Sequence, residues 1–444
     1  MKRSISIALA FVGLMVGAGF ATGQEVIQYF ISFGLTGIWG VVLSGVLMTL
    51  AGAVILQLGS YFIADEHNTV FRNVSHPIVS RILDWSVVLT LFAVGFVMLA
   101  GAGSNLEQQF GLKSFIGAGI MTLMVIATGF LDVDKVSNII SMITPVIIIA
   151  VVFVFGWTML HLPESTAGLS EMAAEKSSPV SPWWLSALNY NGLALMLGVS
   201  MCLVIGGSHS DPKAAGRGGL MGGLLYTLML LMAALSLFFN GPLVLDAPVP
   251  MLELFNSINP WLAQIMVWII FAMIYNTCIG MFYALGRRLT ASKPERFAPV
   301  YIGVCLIGYA VSFVGFSTLM TYVYPIIGYI GILMVMVLVA WWAKSRVRIN
   351  RESKIRERIG ALLHRRLHPE RRYTRKHAQQ LRKAAEAADA PNRDIVEMIG
   401  EEVSAELEAD PEVDYERPDN ILPPKGKTDP AIDDASDSHS PAKN

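Results

Sequence analysis

Long apolar runs alternate with short polar links along this chain, and that alternation predicts its architecture. A bilayer crossing needs about 20 consecutive apolar residues in a helix. Ten runs qualify, at 5–33, 35–63, 83–105, 114–131, 137–160, 183–207, 218–239, 260–285, 298–315 and 318–342. Links as short as Gly34 and Phe316-Ser317 predict tight antiparallel hairpins. Residues 243–257 predict a short helix that lies over one face without crossing. Lys2 and Arg3 ahead of an apolar stretch have the look of a signal peptide. The run resumes through Val26–Phe33, however, and nine more follow, so the segment reads as the first crossing.

Composition agrees with a membrane protein and divides the chain in two. Hydrophobic residues make up 54% and charged residues 15%, against about 25% charged in soluble domains. Residues 1–343 hold 13 Lys/Arg and 14 Asp/Glu, whereas the 101 residues of 344–444 hold 20 of each. The first piece is expected in lipid and the second in water. With the amino terminus inside, the inner links carry Lys2, Arg3, Arg72, Arg81, Lys135, Lys213, Arg217, Arg287, Arg288, Lys293 and Arg296. The outer links carry only Lys113 and Lys176. The positive-inside rule therefore places both termini in the cytoplasm of a multi-pass inner or plasma membrane protein.

Cys202, Cys278 and Cys305 all sit in apolar runs and read as small core residues rather than a disulfide framework. The chain carries no catalytic triad, P-loop, dinucleotide fingerprint or metal-ligand spacing, so no enzyme is expected.

Ten crossings split five plus five, and an odd number per half forces an inverted repeat. Pro145 and Pro325 stand 180 positions apart in the fifth and tenth runs. Each also reads as an ordinary membrane-helix proline. Runs one and six share a further feature, polar and glycine residues in mid-membrane. Run one reads Val16-Gly17-Ala18-Gly19-Phe20-Ala21-Thr22-Gly23-Gln24-Glu25, and run six reads Asn189-Tyr190-Asn191-Gly192. Paired interruptions of this kind point to the binding site of a secondary transporter. Glycine spacing also marks close helix packing, the reading given to Gly218-x-x-x-Gly222 and Gly219-x-x-x-Gly223.

Gly17-Ala18-Gly19-Phe20-Ala21-Thr22-Gly23-Gln24-Glu25 resembles the first-helix signature of YkvI-like membrane proteins, within the amino acid–polyamine–organocation superfamily. Asn189-Tyr190-Asn191-Gly192 followed by Asp211-Pro212-Lys213 is similar to that superfamily's sixth helix and the turn after it. The resemblance covers residues 1–343 and implies an all-α, LeuT-like fold of ten helices with helices 1 and 6 interrupted. It also implies a sodium ion between the unwound first helix and hydroxyls on the eighth. Here Thr277, beside Asn276, is the hydroxyl available. Cys278 stands where a second hydroxyl is common, and sulfur is a poor ligand for a hard cation.

Unwinding at 17–23 is expected to free amides of about Ala21–Gln24 for an anionic group and carbonyls of about Val16–Gly19 for a cation. Asn189–Gly192 is expected to face them across the midplane. Glu25 is the one acid placed well inside a run. It is read as a substrate-ammonium or proton site, with Tyr29 one turn on as its partner, or as part of a water-filled vestibule. No cofactor is implied beyond a coupling ion, sodium or proton.

Residues 344–383 carry 15 Lys/Arg against 3 Asp/Glu, and 384–444 carry 5 against 17. Ile355, Ile359, Leu362, Leu363 and Leu367 share a helical face among Arg356, Arg358, Arg365 and Arg366. That pattern predicts a basic segment (344–393) lying on anionic inner-leaflet lipid rather than on nucleic acid. Residues 394–409 are expected as an acidic helix docking on it, in a 394–444 stretch that is largely disordered. The whole reading is a secondary active transporter of a small zwitterion or organic cation, with an ion channel or a tail-presenting scaffold as the alternatives.

Overall fold

The computed structural model describes residues 2–130, 144–163, 166, 168–389, 392–410 and 413–417. The start of the fifth apolar run and the tail beyond Pro418 lie outside the described residues. Among those described, the chain is helical without strands. The first run is divided into α1 (Lys2–Met15), α2 (Ala18–Thr22) and α3 (Gln24–Tyr29). Then come α4 (Leu35–Phe62), the short α5 (His67–Val74), α6 (Pro77–Phe110), α7 (Ser114–Thr128), α8 (Thr144–Leu160) and the short α9 (Leu169–Ala174). The second half holds α10 (Trp183–Gly207), α11 (Pro212–Phe239), the short α12 (Gly241–Val244) and α13 (Pro250–Ile258), α14 (Pro260–Leu289), α15 (Phe297–Ser312) and α16 (Phe316–Leu367). Finally, α17 (Arg375–Glu386) and α18 (Asn392–Glu408) form the tail.

Six of these, α4, α6, α10, α11, α14 and α16, are long and apolar enough to cross a membrane. Large apolar side chains such as Trp39, Leu89, Leu160 and Trp261 face outward, the reverse of a water-soluble surface. Local chemistry sets the sharp helix starts. Asp211 Oδ1 accepts from Lys213 N at 2.9 Å with Pro212 in the first turn, and Asn259 Oδ1 accepts from Trp261 N at 2.9 Å with Pro260. A capping oxygen plus a proline whose missing N–H costs nothing there fixes the entry of α11 and α14.

Small residues set the helix spacing. A side chain at Gly219 or Gly223 of α11 would strike the α4 backbone at Ala53 and Thr49, and one at Gly218 or Gly222 would strike Ile7 and Ala8 of α1. The two glycine pairs let α11 seat between α4 and α1, the close-packing role expected of them.

The tail differs from expectation. α16 does not stop at the end of the apolar run but continues unbroken to Leu367. Ile359, Leu362 and Leu363, expected against lipid, are buried in a small core with Leu381, Ala384, Ile395, Val396, Ile399 and Val403; Ile355 and Leu367 pack on its edge. The amphipathic face therefore finds protein rather than bilayer, because α17 and α18 supply matching apolar stripes. The segment from Asn392 to Glu408, expected at 394–409 as an acidic helix docking on the basic one, does dock as helix.

Candidate functional site

The first run breaks twice. Gly17 is extended (φ −93°, ψ −174°), which ends α1, and Gly23 adopts φ +80°, a left-handed conformation that favours glycine. Thr22 bridges the second break: its hydroxyl donates to Gly19 O at 2.8 Å and accepts from Gln24 N at 3.4 Å. α2 is thus one isolated turn between two joints. Three of the amides expected to form an anion cradle already have partners. Ala21 N donates to Gly17 O, Gly23 N to Phe20 O, and Gln24 N to Thr22.

Glu25, at the start of α3, is 6% exposed, and its carboxylate lies directly over Gly19. Among the described residues it has neither an ion pair nor a hydrogen bond, and no basic side chain faces it. Its electrostatic neighbours are four buried tyrosines from four helices, Tyr29, Tyr190, Tyr226 and Tyr324. Tyr190 and Tyr226 share a hydroxyl hydrogen bond of 2.6 Å, the Tyr324 hydroxyl is buried without a partner, and Phe20 leans on Tyr226 at 6.0 Å. Tyr29, expected to bind Glu25, instead donates to Asn189 Oδ1 at 3.2 Å. A lone buried carboxylate near tyrosine side chains is costly while charged, and a proton or a cation would relieve that cost.

Run six corrects the sequence reading: α10 passes through Asn189–Gly192 without interruption. The polar groups that argued for unwinding have partners on neighbouring helices. Asn189 Nδ2 donates to Pro325 O at 2.9 Å, and Asn191 Nδ2 donates to Ser44 Oγ at 2.8 Å and Ala187 O at 2.9 Å. Gly192 faces Gly328 and Gly331 of α16 so closely that a side chain on any of the three would strike opposing atoms. Two backbones in contact need glycine without needing a break. Tyr190 still belongs to the group around Glu25 from this continuous helix, beside Tyr29 at 5.6 Å between ring centres.

Two of the expected ion-coupling residues, Gly17 and Thr277, already have partners. Gly17 O accepts from Ala21 N, and the Thr277 hydroxyl donates to Met273 O at 3.1 Å, the usual back-bond of a membrane threonine. Val16, though buried, lies on the break with Gly17, and Asn276 precedes Thr277 on α14, which packs against α2. Cys278 is fully buried, its Sγ directed to Gly95 O of α6 at 4.0 Å. All three cysteines are buried and free, as core residues.

Sequence reasoning missed Tyr226 and Tyr324, and also Gln28, whose amide donates to Thr321 Oγ1 at 3.2 Å and Ser317 O at 3.4 Å. The available signal was polar side chains inside apolar runs. Their convergence on Glu25 spans some 300 positions and has no local spacing to betray it.

A second polar cluster lies at the tail-side end. Arg288 donates to His67 Nε2 at 2.9 Å, so His67 Nδ1 is the protonated nitrogen and donates to Ser200 Oγ at 2.9 Å. Arg288 also pairs with Asp84. Burial first, and the Arg288 charge second, push the His67 imidazole down to about 4, so it is neutral at ordinary pH.

No family model matches the chain. It is 28% identical over 330 residues to an uncharacterized membrane protein, YkvI, of Bacillus subtilis (strain 168), covering 73% of this chain and 92% of that one. A second protein of the same organism, YyaD, is 22% identical over 341 residues, covering 75% and 95%. Among solved structures, MhsT in complex with L-phenylalanine matches with a TM-score of 0.54 over 90% of this chain and 96% of that one, at 12% identity. Mhp1 in its inward-facing conformation matches with a TM-score of 0.51 over 78% and 77%, at 13% identity. At such identities the likeness defines the fold, which is the LeuT type.

Proposed function

We propose that this chain is a secondary active transporter that moves a small cation-bearing organic molecule, an amino acid or related amine, by alternating access. The reading takes the ten runs as five-plus-five crossings with both termini cytoplasmic. One observation carries it: an unpartnered buried carboxylate, Glu25, set among four tyrosines beside a doubly jointed first helix. An isolated charge in the membrane interior is costly, and a proton or substrate ammonium relieves that cost. Exchanging the two couples a pH gradient to substrate movement, which makes the chain a proton-coupled carrier. The engaged amides at 21–24 weigh toward recognition through the amine rather than through a carboxylate. A sodium version needs Gly17 O and Thr277 Oγ1 to serve the ion while keeping their existing partners. The exposed Arg351, Lys354, Arg358 and Arg365 turn a basic stripe outward, suited to anionic inner-leaflet lipid through charge alone.

Uptake of labelled amino acids and amines into proteoliposomes under imposed pH or sodium gradients tests this. The expected result is pH-driven uptake without sodium, lost in Glu25→Gln while substrate exchange survives. Undiminished pH-driven uptake by Glu25→Gln overturns the proton role. A channel would instead show ungated conductance, and a scaffold would bind no amine in a thermal-shift screen.

A further inference from the structure

The tail is fastened to the membrane bundle by two kinds of contact of very different strength. The first is buried. Arg356 is 2% exposed, and four of its five N–H donors are used: Nη1 donates to Ser60 O at 2.8 Å and Ser210 O at 3.1 Å, Nη2 donates to Tyr61 O at 2.8 Å, and Nε donates to Glu352 at 2.7 Å. It caps the carbonyl-bearing end of α4 and the turn between α10 and α11. Glu352 in turn accepts from Asp389 N at 2.9 Å, while Asp389 accepts from Tyr61 and Arg348, both at 2.9 Å. The tail is built onto this face of the bundle.

The second contact is at the surface. Arg3, near the free end of α1, donates to Glu402 at 2.7 Å and Glu406 at 3.0 Å of α18. Its side chain is 42% exposed and that of Glu406 is 62% exposed. The pair to Glu406, wet on both sides, is weak and readily exchanged for water, whereas Glu402 is only 18% exposed. Glu402 stays tied on its other side, accepting from Ser210 N at 2.7 Å and Ser210 Oγ at 2.6 Å. The far end of α1 is the joint at Val16–Gly17, where a side chain added to Gly17 meets open space.

We infer that the tail is a latch on α1: anchored by Arg356, it holds the jointed half-helix through the Arg3–Glu402/Glu406 pairs, and releasing those pairs exposes the Gly17 joint to the tail side. α1 is the one arm of the first run with a hinge at one end and a breakable tether at the other. Next to the tether, Ser4 Oγ donates to Ala214 O at 3.2 Å, and Ile7 and Ala8 rest on the Gly218/Gly222 face of α11; α4 and the α10–α11 turn are held by the buried arginine and stay with the tail. The latch rests on the transporter reading for the purpose of the opening, but not for its existence.

The test is accessibility, with no transport required. Gly17→Cys places a reporter where a Cβ fits without strain, in a chain whose Cys202, Cys278 and Cys305 are replaced by alanine. Full-length protein is reconstituted in vesicles with the tail side facing the bulk, and the rate of labelling by a membrane-impermeant maleimide is measured. Arg3→Glu, a surface change that leaves the core intact, is expected to speed labelling roughly three- to fivefold, the population shift expected from losing one or two surface pairs. Arg3→Glu combined with Glu406→Arg is expected to restore the slow rate, and Arg356→Ala to give the fast one. An unchanged rate in Arg3→Glu, or a rate still fast in the double variant, overturns the latch. Failure of amine uptake with these labelling rates intact would count against the transporter reading alone.

Discussion

Gly19 and Glu25 occupy one volume: the Glu25 carboxylate lies where a side chain on residue 19 would begin. The acid is thus held over a turn of backbone by the absence of a methyl group six positions earlier. Gly17, two residues away, has open space where a side chain would begin and a backbone conformation open to alanine.

Alanine at the two positions should therefore behave oppositely. Gly19→Ala is expected to displace Glu25 and cost about 1–3 kcal/mol, with coupled uptake falling as in Glu25→Gln. Gly17→Ala should stay within about 0.5 kcal/mol of the unaltered chain. Thermal unfolding of the two variants side by side gives the comparison. Equal losses at both positions would show that Glu25 is not seated on Gly19.

Arg356 makes a stability prediction. Truncation to alanine strands Glu352 in a buried site and leaves three carbonyls without a donor. A loss of about 3–5 kcal/mol is expected, as for breaking a buried pair. Chemical denaturation of the full chain, read by the tail's release from protease protection, measures it. A loss under about 1 kcal/mol would contradict the buried anchor.

Cys278 separates two views of ion coupling. Its thiol faces Gly95 O rather than the first-helix break, so Cys278→Ser should leave the sodium dependence of uptake unchanged. A gain of sodium-driven uptake in that variant would reassign α14 to an ion site.

The His67 cluster predicts a pH effect on stability. Its folded value near 4 lies below the ordinary 6.5, so between those values the unfolded chain binds the extra proton. Stability contributed here is whole above about pH 6.5 and declines as pH falls toward 4, by up to about 3 kcal/mol at 1.36 kcal/mol per unit. His67→Asn should flatten that part of the profile in thermal melts at pH 7, 6, 5 and 4. A parallel decline in both proteins would place the acid sensitivity elsewhere.

The helices were legible because hydrophobicity over twenty residues is a strong, local signal. The break in the first run was also legible, since Gly17, Gly19 and Gly23 fall within seven residues beside polar groups, although such spacing alone suits close helix packing equally well. Asn189 and Asn191 misled for the opposite reason. A polar residue in an apolar run shows a need for partners but not where they lie, and here Pro325 and Ser44 stand 136 and 147 positions away. The tail's amphipathic face raised the same ambiguity, since lipid and another helix satisfy one apolar stripe equally well.

The uninterrupted course of α16 has a mechanical consequence. At about 1.5 Å per residue its 52 residues make a rod of roughly 78 Å, with Gly331 pressed on α10 near one end and Leu367 in the tail core at the other. Arg356 lies on that rod 25 residues beyond Gly331 and pins it to the end of α4 and the α10–α11 turn. Any tilt of α16 against α10 therefore has to be shared by the tail-side ends of its neighbours instead of swinging the tail free.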